Sequence, residues 1–137
     1  MMPSLSEYEN FIYALQLQFK SIRVSTLVVM HTSPHTAQVS GIIFFDKRVF
    51  LRVFEAINFL TGRIRDYGYE VYHSDEKLYW YDCWPHPDNP LLASTHPHHK
   101  HILPDIKHHR IPAPNLSFEQ PNLPVLIREI EALLPTL

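Results

Sequence analysis

The stretch "RVFLRVFEAINF", residues 48–59, alternates. On an extended chain Arg48, Phe50, Arg52 and Phe54 fall on one side, and Val49, Leu51, Val53 and Glu55 on the other. A period of two over this length reads as a strand with two unlike faces. Asp46 and Lys47, just before it, supply a tight turn back to "TAQVSGIIFF", residues 36–45. The two runs therefore form an antiparallel pair. The strand arginines fit a solvated sheet face or a phosphate track, and Glu55 and Glu70 are placed to pair with them.

Working outward, "SIRVSTLVVMH" (21–31) is rich in β-branched residues and reaches the 36–45 run through the turn "SPHT". Downstream, "DYGYEVYH" (66–73) and "KLYWYDCW" (77–84) read as a second hairpin turning at Ser74–Lys77, with residues 58–65 as the link. Tyr67, Tyr69 and Tyr72 suit strand packing better than base stacking. The spacing predicts an N-terminal helix over 4–19, with Ser4 and Glu7 as a capping box and Tyr8, Phe11, Ile12, Leu15 and Phe19 on one face. A second helix follows Asn122, which can cap it, with Pro124 in the first turn and Leu123, Leu126, Ile127, Ile130, Leu133 and Leu134 as its apolar stripe. The fold class is α+β: an antiparallel meander of about five strands flanked by an N-terminal and a C-terminal helix, within a single domain over 1–137.

Between Pro85 and Pro121 neither period survives. Long irregular segments inside compact domains are usually functional when ordered. "STHPHHKH", residues 94–101, carries His96, His98, His99 and His101, and His108 and His109 follow. A short strand fits "HRIPA" (109–113). Three chemistries are open. Imidazoles at i, i+2 or i, i+3 can hold a metal, but neither a cysteine pair nor an HExxH pattern accompanies them. They can instead move protons on a phosphodiester, with Lys100, Lys107 and Arg110 offsetting phosphate charge. They also fit a solvated loop whose histidines serve only the turns. Upstream, in "YDCWPHPDNP" (81–90), Asp82 ends a strand and can orient the imidazole of His86.

Composition adds limits. The formal charge is −2 with ten histidines counted neutral, so it neither proposes nor excludes nucleic acid. Cys83 is the lone cysteine, which rules out an intrachain disulfide and reads as a small packed residue in a reducing compartment. The N-terminal residues lack the basic and apolar runs of a secretory leader, and no run approaches the ~20 apolar residues of a membrane span.

The segment "YWYDCWPHPDNPLLASTHPHHKHI", residues 79–102, resembles the signature of the TumE-type toxins of prokaryotic toxin–antitoxin modules. Tyr81-Asp82, Pro85-His86 and Pro97-His98-His99-Lys100-His101 match that signature in order and spacing. Cys83 stands where the family carries Asn, and Pro87 where it carries a second His. The order of helix, strand-rich middle, histidine segment and terminal helix also matches. The resemblance implies a cytoplasmic toxin neutralised by a cognate antitoxin, without a membrane partner. By analogy with compact toxins of this layout it implies a metal-independent endoribonuclease with no cofactor, acting on RNA. The expected catalytic group is His98, His99 and His101, supported by Asp82 and His86, with Lys100, Lys107 and Arg110 on phosphate. The alternatives are a histidine-based metalloenzyme and a non-catalytic toxin that blocks a cellular target.

Overall fold

The computed structural model describes residues 1–83, 98–103, 110–113 and 115–137, with Arg110 and Pro112 described through their backbone. The chain opens with α1 (Leu5–Tyr13) and α2 (Leu15–Gln18). Ser4 Oγ accepts the Glu7 N–H at 3.2 Å, and Glu7 Oε1 accepts the Ser4 N–H at 2.9 Å, so the expected capping box forms. One helix over 4–19 was expected. The chain instead leaves helical geometry at Ala14, whose ψ opens to 9° and whose N–H is shared between the Asn10 and Phe11 carbonyls.

The sheet comprises β1 (Val24–Ser25), β2 (Val28–His31), β3 (Thr36–Phe44), β4 (Val49–Asn58), β5 (Arg63–His73), β6 (Glu76–Asp82), β7 (His99–Ile102) and β8 (Arg110–Pro112). All described pairings are antiparallel, in the order β1-β3-β4-β5-β6-β7-β8, with β2 also on β3. The sheet thus has eight strands among the described residues, not five. Two of the extra strands are β7 and β8, four and three residues long and flanked or ended by proline. The other arises because 21–31 splits in two.

That split has a visible cause. At the break, the Thr26 N–H donates to the Ile42 carbonyl at 2.8 Å, and Thr26 Oγ1 accepts the Ile42 N–H at 2.9 Å. Opposite, Gly41 sits at φ 140°, and a Cβ there would lie 2.7 Å from the Thr26 carbonyl oxygen. Only glycine permits this backbone approach. The β3–β4 turn is a type I′ turn on Lys47 and Arg48 (φ 59° and 60°), closed by the Val49 N–H on the Asp46 carbonyl at 3.2 Å.

Alternation along β4 is as expected: Val49, Leu51, Val53, Glu55 and Ile57 are buried, while Arg52 and Phe54 are exposed. The buried face continues through Tyr67, Tyr69 and Val71 of β5, and α1 and α3 (Leu123–Leu133) cover it. Tyr8 and Ile12 enter from α1, and Leu123, Leu126, Ile127 and Ile130 from α3. Each fully buried aliphatic contributes roughly 1.5–3 kcal/mol. Two expectations fail on this face. Glu55 does not pair with the strand arginines. It is fully buried and accepts hydrogen bonds from Tyr8 Oη at 2.5 Å and Tyr69 Oη at 2.6 Å. Asn122 does not cap α3 with its side chain. Its amide accepts the Ser117 N–H and donates to the Ser117 carbonyl and to Tyr69 Oη, locking the chain that enters α3 onto the sheet. Among the described residues no helix is long and apolar enough to cross a membrane.

Candidate functional site

The histidine segment becomes structure at β7. The registers Trp80↔His101, Tyr81↔Lys100 and Asp82↔His99 lay it along β6. Alternation then separates its side chains onto two faces. His99 and His101 share the face opposite the helices, together with Trp80 and Asp82. Lys100 shares the helix-covered face with Tyr81.

On the outer face, Asp82 Oδ2 lies 3.0 Å from His101 Nε2 and accepts the Trp80 indole N–H at 3.2 Å. The His101 ring stacks on Trp80 with centroids 3.9 Å apart and planes 14° from parallel. Lys77 Nζ sits 4.5 Å from the indole centroid, so a cation and an imidazole both pack on Trp80. His99 and His101 are 0% and 2% exposed. Burial alone would raise the Asp82 carboxyl. The hydrogen bond and charge of His101, the Trp80 bond and the charge of His99 outweigh it and hold the group below its ordinary range. An ionised carboxylate only accepts, so across this contact His101 Nε2 is the donor. Among the described residues the imidazole against Asp82 is that of His101.

On the helix side, His98 precedes β7 and its Nδ1 lies 2.5 Å from Tyr67 Oη. Its ring packs on Tyr67 and on Phe118, at centroid distances of 5.7 and 4.6 Å. Lys100 Nζ lies 3.6 Å from Glu129 of α3 and 4.3 Å from the Tyr79 ring centroid, while Tyr81 Oη donates to Glu129 at 2.7 Å. Lys100, Tyr81 and Glu129 border a cavity of about 190 Å³. Burial, with Glu129 beside them, pushes the Tyr79 and Tyr81 phenols up, so both stay protonated donors. Cys83 is buried on this side and its Sγ accepts the Tyr67 N–H at 3.4 Å. Burial pushes its thiol up, away from the range of a reactive thiolate.

The structure thus brings together Asp82, His99 and His101 and sets His98 and Lys100 behind the sheet. Arg110 is the β8 backbone partner of His101. His86 and Lys107 lie outside the described residues, as do His96, His108 and His109. Among the described residues, no group of three or more His, Cys, Asp or Glu side chains is arranged to hold a metal. Trp80 and Glu129 were missed as partners. Trp80 was detectable, since it sits two residues before Asp82 on a strand and must share its face.

Comparison with known families decides the membership: the model of the toxin TumE matches residues 12–134. The chain belongs to the TumE toxin family. Comparison with curated proteins and with solved structures returns no match. As a TumE toxin it is the toxin of a toxin–antitoxin module, and its family implies an antitoxin partner. The matched span runs from α1 to the end of α3, so the TumE region includes both the outer-face cluster and the helix-side cluster.

Proposed function

We propose that this toxin is a metal-independent endoribonuclease whose proton-transfer element is the Asp82–His101 pair, with His99 as the second imidazole. The observation that carries the reading is the buried carboxylate–imidazole pair stacked on Trp80, with His99 on the same face two residues away, roughly 7 Å along the strand. One imidazole takes the proton of the RNA 2′-hydroxyl as its oxygen attacks phosphorus. The other gives a proton to the 5′-oxygen as the P–O5′ bond breaks. The products are a 2′,3′-cyclic phosphate and a 5′-hydroxyl, and the proton count balances. Asp82 is a positioning residue that stabilises the His101 imidazolium. His98 and Lys100 serve the helix side, and Arg52 and Lys77 are cations on the reacting face. His86 is a supporting group, and Lys107 and Arg110 keep a phosphate-binding role from beyond β7.

The burial of both imidazoles sets a condition: cutting must be coupled to their exposure. In the test, purified toxin with EDTA is incubated with defined RNAs. Wild type is expected to leave cyclic-phosphate ends, and His101→Ala and His99→Ala to lose about 10²-fold or more in rate. Diethylpyrocarbonate should label His99 and His101 faster when RNA is bound. If toxic, folded protein leaves diverse RNAs intact and both variants stay fully toxic, the reading is refuted. The same burial favours a second reading, a toxin that blocks its target by binding alone, which predicts that outcome.

A further inference from the structure

The outer face continues beyond the histidines, and two rows of strand partners cross it. One runs Ser40, Phe54, Gly68, Asp82, His99, and the other runs Ile42, Arg52, Glu70, Trp80, His101. Where β3, β4 and β5 meet, these rows bound a groove of about 400 Å³. Phe54, 38% exposed, and Arg52 rise from β4, and Gly68 forms the floor.

Gly68 is the informative residue. It sits mid-strand, where glycine costs roughly 0.5–1 kcal/mol relative to alanine. Its backbone does not need glycine, since its φ is not positive. Nor does packing, since a Cβ there would meet no atom within 4 Å. What its missing side chain provides is space between Phe54 and Asp82, its two strand partners.

One cation, Arg52, and one carboxylate, Glu70, line the groove. The Glu70 carboxylate is engaged by Tyr72 Oη at 2.6 Å and Lys77 Nζ at 3.0 Å. Arg52, its partner across the strands, lies over the Tyr72 ring at 5.6 Å and adds its charge to hold Glu70 low, without a salt bridge among the described residues. An exposed aromatic ring, an adjacent guanidinium and an open floor are what an unpaired nucleotide requires: a stacking surface and a phosphate contact. From Phe54 to Asp82 is two strand spacings, roughly 10 Å, a distance of one to two nucleotides.

We propose that this groove binds a single unpaired nucleotide of RNA, with its base against Phe54 over Gly68 and its phosphate at Arg52. The bound strand then leads toward the Asp82–His101 pair. The inference rests on the nuclease reading and specifies its substrate as single-stranded.

The test measures binding of fluorescent 2′-O-methyl oligoribonucleotides, which lack the attacking hydroxyl, as single strands and as duplexes. Gly68→Val fills the groove into open space with a strand-favouring residue, so its melting temperature should equal or exceed wild type. It should weaken single-strand binding about tenfold or more, the scale of one stacked base. Arg52→Gln should weaken binding and reduce its salt dependence. Duplex should bind wild type more weakly than single strand. Folded Gly68→Val that binds and cuts single strands like wild type, while wild type remains an active nuclease, overturns the groove and leaves the nuclease reading standing. Wild type that neither binds nor cuts RNA removes both. Loss of antitoxin binding with RNA binding intact in Gly68→Val assigns the groove to the antitoxin and overturns the proposal.

Discussion

Replacing Tyr69 by Phe removes one oxygen from a buried polar network that links both helices to the sheet. That oxygen donates to Glu55 at 2.6 Å and accepts from Asn122 Nδ2 at 3.2 Å. A hydrogen bond to a charged group is worth roughly 1.5–3 kcal/mol, and a stranded amide hydrogen adds about 1 more, so about 3 kcal/mol is expected near neutral pH. Domains have roughly 5–15 kcal/mol in hand, so the variant should fold but melt about 10 °C lower. The loss should depend on pH. Burial raises the Glu55 carboxyl above its ordinary range despite the two tyrosine bonds that lower it. Stability from a raised group is fully present below its unfolded value, about 4.3, and is lost as pH rises through the folded value. Removing the Tyr69 donor raises the folded value further, so in the variant the loss continues to higher pH. Urea unfolding of both proteins from pH 4 to 8 should therefore show a deficit of about 1 kcal/mol at the acid end, growing to about 3. A deficit that stays constant with pH, or one below about 1 kcal/mol throughout, would refute the argument that Tyr69 holds a carboxylate.

Three further outcomes follow from other sites. Arg48→Gly should raise stability by roughly 0.5–1 kcal/mol in urea unfolding, because Arg48 occupies the left-handed region in the β3–β4 turn at φ 60°. Asp82 is depressed, so its contribution is present above the ordinary carboxyl value and is lost as pH falls through its lower folded value. Asp82→Asn should accordingly flatten the acid limb of the stability curve, and an unchanged limb would count against the pair. Cys83 should react with a thiol reagent far more slowly in native protein than in denaturant, because it is buried and its thiol is pushed up. Rapid native labelling would contradict its placement.

The hairpins β3–β4 and β5–β6 were legible because each runs for many residues at period two around a tight turn. β7 and β8 were not. Four residues between Pro97 and Pro104 cannot display a period, and what makes His99–Ile102 a strand is β6 beside it. The site was half legible for the same reason. That Asp82 at a strand end orients an imidazole could be read locally. That His101 would join it could not, since His101 is nineteen residues away and reaches Asp82 by strand pairing, while the expected His86 lies outside the described residues. Glu55 was readable as lying on the apolar side of β4. Its partners come from α1 and β5, and only tertiary packing brings them to it.

The alternation of β7 means that five adjacent letters, Pro-His-His-Lys-His, encode two sites that do not share a medium. Their energetic couplings should divide accordingly. His101 should be non-additive with Asp82 and Trp80, and Lys100 with Glu129 and Tyr81, while His101 and Lys100, though neighbours in sequence, should add nearly independently. A scan along the motif would then superimpose two unrelated profiles, one reporting on the outer face and one on the docking of α3. Selection can tune either without the other, provided the register of this one short strand is kept, because a slip of a single residue would exchange them.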